Sequence, residues 1–200
     1  MRALVFVRIS VLIAAAAFVT AGTAAAQIGQ GDGLLIFNGG YVTGSSAIGG
    51  ETIDGGIISF AYEKLDWSSP FSFGFSIAYT SVDGDSGSGS NRVRTSANSV
   101  PMYFGGKYWL GKSKVQGYLG VALGLYFSWL DKEYVETGDS YSSIETTGMG
   151  LGIPIGGTFS IGKTVFINAN YTLNWLWDNE ILNDNLLHAF NLGVGFKLGK

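Results

Sequence analysis

The run Gly157-Thr158-Phe159-Ser160-Ile161-Gly162-Lys163-Thr164 has the spacing of a phosphate-cradling loop: two glycines with four residues between them, then a lysine and a hydroxyl. That chemistry also needs a helix whose N-terminus holds the anion. Val165 to Trp177 instead alternates apolar with small or polar residues, so the octapeptide reads as a tight turn between two strands. His188 is the sole histidine, and any histidine-dependent hydrolysis has to use it. A serine nucleophile needs its base within hydrogen-bond reach. The same-face neighbours of His188 are Leu186 and Phe190, so it reads as a histidine at a membrane interface. Asp83-Gly-Asp85 opens like a calcium loop, yet Ser88 and Arg94 stand where an EF-hand needs Gly and Glu. A solvated Gly/Ser loop is the reading there, with Arg92 and Arg94 placed to meet lipid phosphates. With no cysteine in the chain, disulfides and thiolate metal sites are excluded. No catalytic, cofactor-binding or metal-binding set emerges.

What remains is a set of charges with an unusual placement, and the elements that carry them explain why. Four long charge-free stretches alternate large apolar residues with small or polar ones. In Val115 to Leu130, Val115, Leu119, Val121, Leu123, Leu125, Phe127 and Trp129 alternate with Gln116, Tyr118, Gly120, Ala122, Gly124, Tyr126 and Ser128. A period of two is a β-strand with one oily face. A soluble sheet would carry Lys and Glu on its other face; here that face is Gly, Ala, Ser, Asn and Tyr, as for a barrel whose oily face meets lipid. A helical alternative fails at Asn168 and Asn170, which would point about 200° apart on a helix and put an amide into lipid. A secreted lipocalin-type barrel would need outward charges, and 71–82, 115–130, 148–161 and 165–177 contain none.

Eight such segments are legible. Their outward faces carry Leu35, Phe37 and Tyr41; Ile58, Phe60 and Tyr62; Phe71 to Tyr79 at odd positions; Val100, Met102, Phe104 and Tyr108; the residues of 115–130 above; Met149 to Phe159; Val165 to Trp177; and Leu186 to Leu198. Short turns at Leu65–Pro70, Gly111–Lys114 and Ser160–Thr164 alternate with longer polar connections at Thr43–Thr52, Asp83–Asn98, Asp131–Ser143 and Asp178–Asn185. The fold expected is all-β, an eight-stranded antiparallel up-and-down transmembrane β-barrel with short periplasmic turns and longer extracellular loops. Tyr79, Phe127, Trp129, Trp175 and Trp177 form an aromatic girdle toward the loops. Glu63, Lys107 and Lys197 point inward, and Glu63 and Lys107 are expected to pair as a lumen staple near the turn side. Tyr118, Tyr126, Asn168 and Asn170 line the lumen. The many glycines, 31 in all, leave room beside inward rings, which suits a filled lumen or an open one.

Residues 1–26 read as a cleaved signal peptide, with Arg2 and Arg8, an apolar stretch Val11–Val19, and Ala24-Ala25-Ala26 before Gln27. The barrel domain is then 27–200. Losing Arg2 and Arg8 takes the net charge from −3 to −5, and no basic patch points to nucleic acid.

On this pattern, and on the closing segment Phe190-Asn-Leu-Gly-Val-Gly-Phe196, the chain resembles the small eight-stranded outer-membrane barrels of the OmpA, OmpX and opacity-like kind. Such chains finish on an aromatic residue that the assembly machinery reads; this one ends Phe196-Lys-Leu-Gly-Lys200. The resemblance implies the outer membrane of a Gram-negative bacterium. Its partners there are lipopolysaccharide, the assembly machinery and an extracellular ligand met by the loops, and it has no cofactor. The leading reading is a non-enzymatic envelope protein. A narrow porin-like channel past Tyr118, Tyr126, Asn168 and Asn170 is the alternative, and a lipid A-modifying enzyme using His188 the more distant one.

Overall fold

Residues 28–45, 52–86, 93–111, 114–134, 140–177 and 186–199 are described by the structure, a computed structural model of the chain. The alternation becomes eight strands: β1 (Gly33–Ser45), β2 (Thr52–Leu65), β3 (Phe71–Ser86), β4 (Val93–Leu110), β5 (Val115–Tyr134), β6 (Ser140–Ser160), β7 (Val165–Trp177) and β8 (Leu186–Lys197). Each pairs antiparallel with its sequence neighbours, and β1 also pairs with β8, so the sheet closes and no edge is left. The expected signal peptide and the connection 178–185 lie outside the described residues.

Register fixes the shape of the barrel. The partners Leu34, Glu63, Gly74, Gly105, Ala122, Gly152, Asn174 and Leu187 lead once round the barrel. The circuit returns to β1 at Gly44, ten residues above its start. Eight strands with that stagger tilt by about 40° and enclose a backbone cylinder of about 8 Å radius. Such a cylinder is narrow enough for side chains from opposite walls to touch.

The oily face is outside, as the alternation requires. Phe73 and Phe104 are 67% and 65% exposed, and Val115, Leu123 and Ile155 are exposed with them. Of the girdle residues, Tyr79, Phe127 and Trp175 are exposed, and Tyr79 packs on Trp129 with ring centroids 6.2 Å apart. Val194 departs from this pattern. Its register places it on the outward face between Phe37 and Ile167, yet it is only 4% exposed because larger neighbours cover it.

The three turns fall where the sequence puts them. At 66–70 the Asp66 carboxylate accepts from Ser69 Oγ (2.6 Å), Ser68 Oγ (2.8 Å) and the Trp67 amide (2.8 Å). Those hydrogen bonds, from Ser69 first and then Ser68, hold its carboxyl below the usual carboxylate range. Gly111 enters the next turn at φ +89°, a conformation that favours glycine. The octapeptide 157–164 runs from β6 into a turn and then directly into β7, with the amides of Ile161 and Gly162 both donating to the Val165 carbonyl. No helix follows to hold a phosphate.

The long connections differ from the sequence reading. The composition of Asp83–Asn98 predicts a loop, but β3 runs on to Ser86 and β4 starts at Val93, with Asp83 opposite Ser96 and Asp85 opposite Arg94. Likewise β5 and β6 pair as far as Glu133 and Ser140, beyond a register shift at Leu130/Asp131, and Thr43 to Ser45 belong to β1. An antiparallel ladder propagates on backbone hydrogen bonds whatever the side chains, and cross-strand contacts such as Ser96 Oγ donating to Asp83 Oδ1 (2.6 Å) support it. Composition alone reads such Gly, Ser and Asp segments as loop. Pro101 and Pro154 interrupt the ladder in the other sense. Pairing skips their positions between β3 and β4 and between β5 and β6, as expected of residues without an N–H to donate.

Candidate functional site

The inward residues stack in layers, and the lumen they fill is the candidate site. Next to the turns, Leu34, Ile36, Leu65, Trp109, Tyr118 and Phe166 form one buried cluster with Ile28, a residue that precedes β1. Gln116 points down from β5 and holds that segment by its backbone. Its Oε1 accepts from the Ile28 amide (3.0 Å), and its Nε2 donates to the Ile28 carbonyl (3.1 Å). The pair imitates a strand-to-strand exchange and latches Ile28 across the mouth. Gln116→Ala should free this latch, with amide exchange at Ile28 about tenfold faster, the effect of losing roughly 1.4 kcal/mol of hydrogen bonding. Unchanged exchange would mean that packing alone holds the segment.

Above this floor lies the charged layer. The structure brings Glu63 on β2 and Lys107 on β4 together as an ion pair. Ser72 Oγ donates to Glu63 Oε2 (3.1 Å) and in turn accepts from Trp109 Nε1 (2.9 Å). The Lys107 ammonium also lies 4.5 Å from the centroid of the Tyr118 ring, so both charges are desolvated but surrounded by favourable groups. Tyr118 OH donates to Asn168 Oδ1 (2.8 Å), Asn168 Nδ2 to Asn38 Oδ1 (2.9 Å), and Asn38 Nδ2 to Ser59 Oγ (3.2 Å). That chain of hydrogen bonds crosses the barrel from wall to wall. Lys197, the third inward charge, is buried apart from this pair near the end of β8.

The middle of the lumen holds a cavity of about 120 Å³, lined among others by Asn38, Ser59, Gly105, Asn170, Thr172 and Asn191. Space of that size and polarity accommodates several water molecules. Asn191 Nδ2 donates to Asn170 Oδ1 (3.0 Å) across its wall. A roof closes it on the loop side: Tyr103 OH and Tyr126 OH are 2.7 Å apart, and Tyr103 OH also donates to Asn174 Oδ1 (3.0 Å). Beyond the roof come a smaller void of about 20 Å³ and then an apolar seal of Val42, Ile53, Val82, Leu130, Leu176 and Leu187.

Among the residues expected to line a wet path, Tyr118 and Tyr126 are each 2% exposed and Asn168 1%. They fill the lumen; Asn170 alone of the four borders the cavity. The reading of the inner face as small and polar therefore holds only for the central layers and is corrected at both ends. There, even-numbered positions of β1 and β7 carry Leu34, Ile36 and Leu176 inward. The same parity that placed Asn168 and Asn174 inside would have found Leu176. No sequence signal marks the Gln116 latch, because Ile28 lies outside any strand. His188 does have a partner: its Nδ1 lies 2.6 Å from Tyr171 OH, on the outward face. Arg92 lies outside the described residues, and Arg94 belongs to β4. Among the described residues no group of three His, Asp or Glu side chains is placed to hold a metal ion.

A closed eight-strand barrel with an apolar belt and aromatic rims is a transmembrane barrel of the outer-membrane type. The solved structures that share the fold agree. Neisserial surface protein A is 18% identical, with 83% of this chain and 97% of that one covered at a TM-score of 0.55. The attachment invasion locus protein of Yersinia pestis is 14% identical, covering 85% and 100% at 0.53. Outer membrane protein OprG of Pseudomonas aeruginosa is 13% identical, covering 86% and 99% at 0.50. No protein-family model and no curated protein sequence matches the chain. The chain has the fold of the small eight-stranded outer-membrane barrels.

Proposed function

We propose that this chain is a non-enzymatic outer-membrane barrel without a through-channel, which acts through the hairpins it projects beyond the membrane. One observation carries the reading: the lumen is shut at both ends by buried side chains, Phe166 and Leu34 on the turn side and Leu176 on the loop side, each 0% exposed. Between them lies the polar cavity. The hairpin arms support the second half of the proposal. β3 with β4 and β5 with β6 stay paired past the girdle, and the register sets Arg94 between Asp85 and Glu133. Arms held by a ladder present their tips with less conformational freedom than open loops, which lowers the ordering cost of binding an extracellular ligand.

Conductance of the refolded protein in planar bilayers tests the closed lumen, once a heat-shifted gel band shows that it has folded. A folded and electrically silent protein is expected. Discrete single-channel steps would overturn the reading and put the porin-like alternative first. Protease treatment of intact cells tests the hairpins, and cleavage confined to the four loop-side connections is expected.

A further inference from the structure

The charges of the chain are sorted along the barrel axis. The turn side carries Lys64, Lys112, Lys114, Lys163, Lys197 and Lys200 against two carboxylates, Asp32 and Asp66. On the acidic loop side the only cations are Arg92, Arg94 and Lys132. The negative overall balance hides this basic pole. One short pattern recurs on it, in Leu110-Gly111-Lys112, Ile161-Gly162-Lys163 and Leu198-Gly199-Lys200. Backbone hydrogen bonds join these segments into an arc. The Ser160 amide donates to the Lys114 carbonyl (2.8 Å) and the Lys197 amide to the Thr164 carbonyl (2.7 Å), so the start of β5, the β6–β7 turn and the end of β8 are neighbours. No Asp or Glu falls within 110–116, 158–166 or 195–200. Asp66 lies away in the β2–β3 turn, taken up by Ser68 and Ser69, and Asp32 acts on Lys197 at the β8 end. Lys112 and Lys200 lie outside the described residues. Among the described residues Lys114 and Lys163 are exposed and have no carboxylate partner.

Direction sets this arc apart from a rim that meets headgroups. Lys114 continues the β5 register opposite Ser160, an inward residue that is 0% exposed, so Lys114 stands on the lumen-facing side of the mouth. Lys197 is inward as well. Headgroups lie around a barrel, whereas these charges face what lies beneath it. Just inside the mouth, Ser160 Oγ and Thr158 Oγ1 are buried with no hydrogen-bond partner, which leaves unspent donors at the base of the arc. The mouth also grips one extended segment already, since Gln116 meets both the amide and the carbonyl of Ile28. We propose that the arc holding Lys114 and Lys163 docks an acidic, extended segment of a polypeptide partner that approaches along the barrel axis from the turn side. Alternate side chains of an extended segment share a face and stand about 7 Å apart. On a cylinder of about 8 Å radius, the start of β5 and the β6–β7 turn are separated by a chord of about 9 Å, a difference that flexible lysine stems absorb. Asp or Glu at every second position of the partner therefore meets both ammonium groups. The site is at the opposite end from the hairpins and independent of what they bind.

The refolded barrel in phosphatidylcholine nanodiscs leaves both mouths open to solution. A fluorescent peptide of alternating glutamate and serine should bind it saturably, by anisotropy, and more weakly as salt rises. Lys114→Ala and Lys163→Ala should each weaken that binding by up to about fivefold, the scale of one exposed ion pair. Both side chains are exposed, and a heat-shifted band verifies the fold of each variant. A peptide of the same composition, with its serines and glutamates in two blocks, should bind less tightly than the alternating one. Absence of saturable binding, or equal binding by the variants and the unsubstituted protein, would overturn the proposal. Equal affinity for the two peptides would also overturn it, and would assign the arc to polyanions at large, anionic headgroups included.

Discussion

Lys107→Ala is expected to lower the unfolding free energy of the barrel by about 3–5 kcal/mol, the cost of leaving a buried charge without its partner. The Glu63 and Lys107 side chains are 7% and 18% exposed, so little solvent reaches them to screen the loss. With the ammonium gone, Glu63 keeps Ser72 Oγ and loses its counter-charge. Glu63→Gln should cost less, because the amide oxygen can still accept from Lys107 while the amide nitrogen donates to Ser72 Oγ. The Glu63→Gln/Lys107→Ala double variant is the informative one. Removing both charges removes both desolvation penalties, so its loss should fall below the sum of the single losses, giving a coupling of 1 kcal/mol or more, about the scale of a contacting pair. Urea unfolding in lipid vesicles, followed by tryptophan fluorescence, measures all three. Strict additivity would mean that the two charges are held independently by their other contacts.

That the two residues meet is legible in the amino-acid sequence alone, and the reason is parity. Once the oily positions define the outside, every inward residue follows by counting in twos, and Glu63 and Lys107 fall on the same side of β2 and β4. The short turns then bring the strand ends to one rim, which sets the two at similar depth. The fold is legible for the same reason, since lipid imposes one rule on all eight strands. The closure of the lumen is less so. Whether glycines leave a pore or a socket depends on which rings enter from the opposite wall, and that depends on stagger. Tyr126, for instance, reaches its roof position beside Gly124 and Gly150 only because of the register shared by β5 and β6. The extent of the strands beyond the membrane is also hidden. There water meets both faces, the oily alternation stops, and the ladder persists without it.

The layers also explain why a small barrel needs so much polar chemistry inside. A cylinder of about 8 Å radius is too narrow to hold bulk solvent and too wide to be filled by methyl groups from its own walls. Rings from one wall against glycines on another solve the geometry at the ends, where Trp109, Phe166 and Tyr126 are buried. In the middle, where Gly74, Gly105 and Gly152 border the cavity, amides and hydroxyls form the walls and connect across it. Closed ends with a polar chamber between them give a rigid pedestal. Rigidity of that kind suits the role proposed above for the projecting hairpins.

The ring-against-glycine principle has its sharpest test at Phe166 and Gly195, which face each other across the β7–β8 ladder. Phe166 is completely buried in the turn-side floor, and a Cβ placed on Gly195 would fall against its Cζ, Cε2 and Cε1 atoms. Phe166→Ala should cost about 3–5 kcal/mol, the range for emptying a buried aromatic site. Gly195→Ala should cost about 1–3 kcal/mol for the opposite reason, because the added methyl has nowhere to go unless the ring shifts. The two defects are complementary. Leucine at 166 is shorter toward Gly195 and still apolar, so Gly195→Ala/Phe166→Leu should regain most of what Gly195→Ala alone loses. Unfolding titrations in vesicles of the unsubstituted protein, the Phe166→Ala, Phe166→Leu and Gly195→Ala variants and the double variant decide the matter. If the double variant were as unstable as the sum of its parts, the strain at Gly195 would lie in the backbone of β8. The floor would then be closed by strand geometry, with the ring merely resting on it.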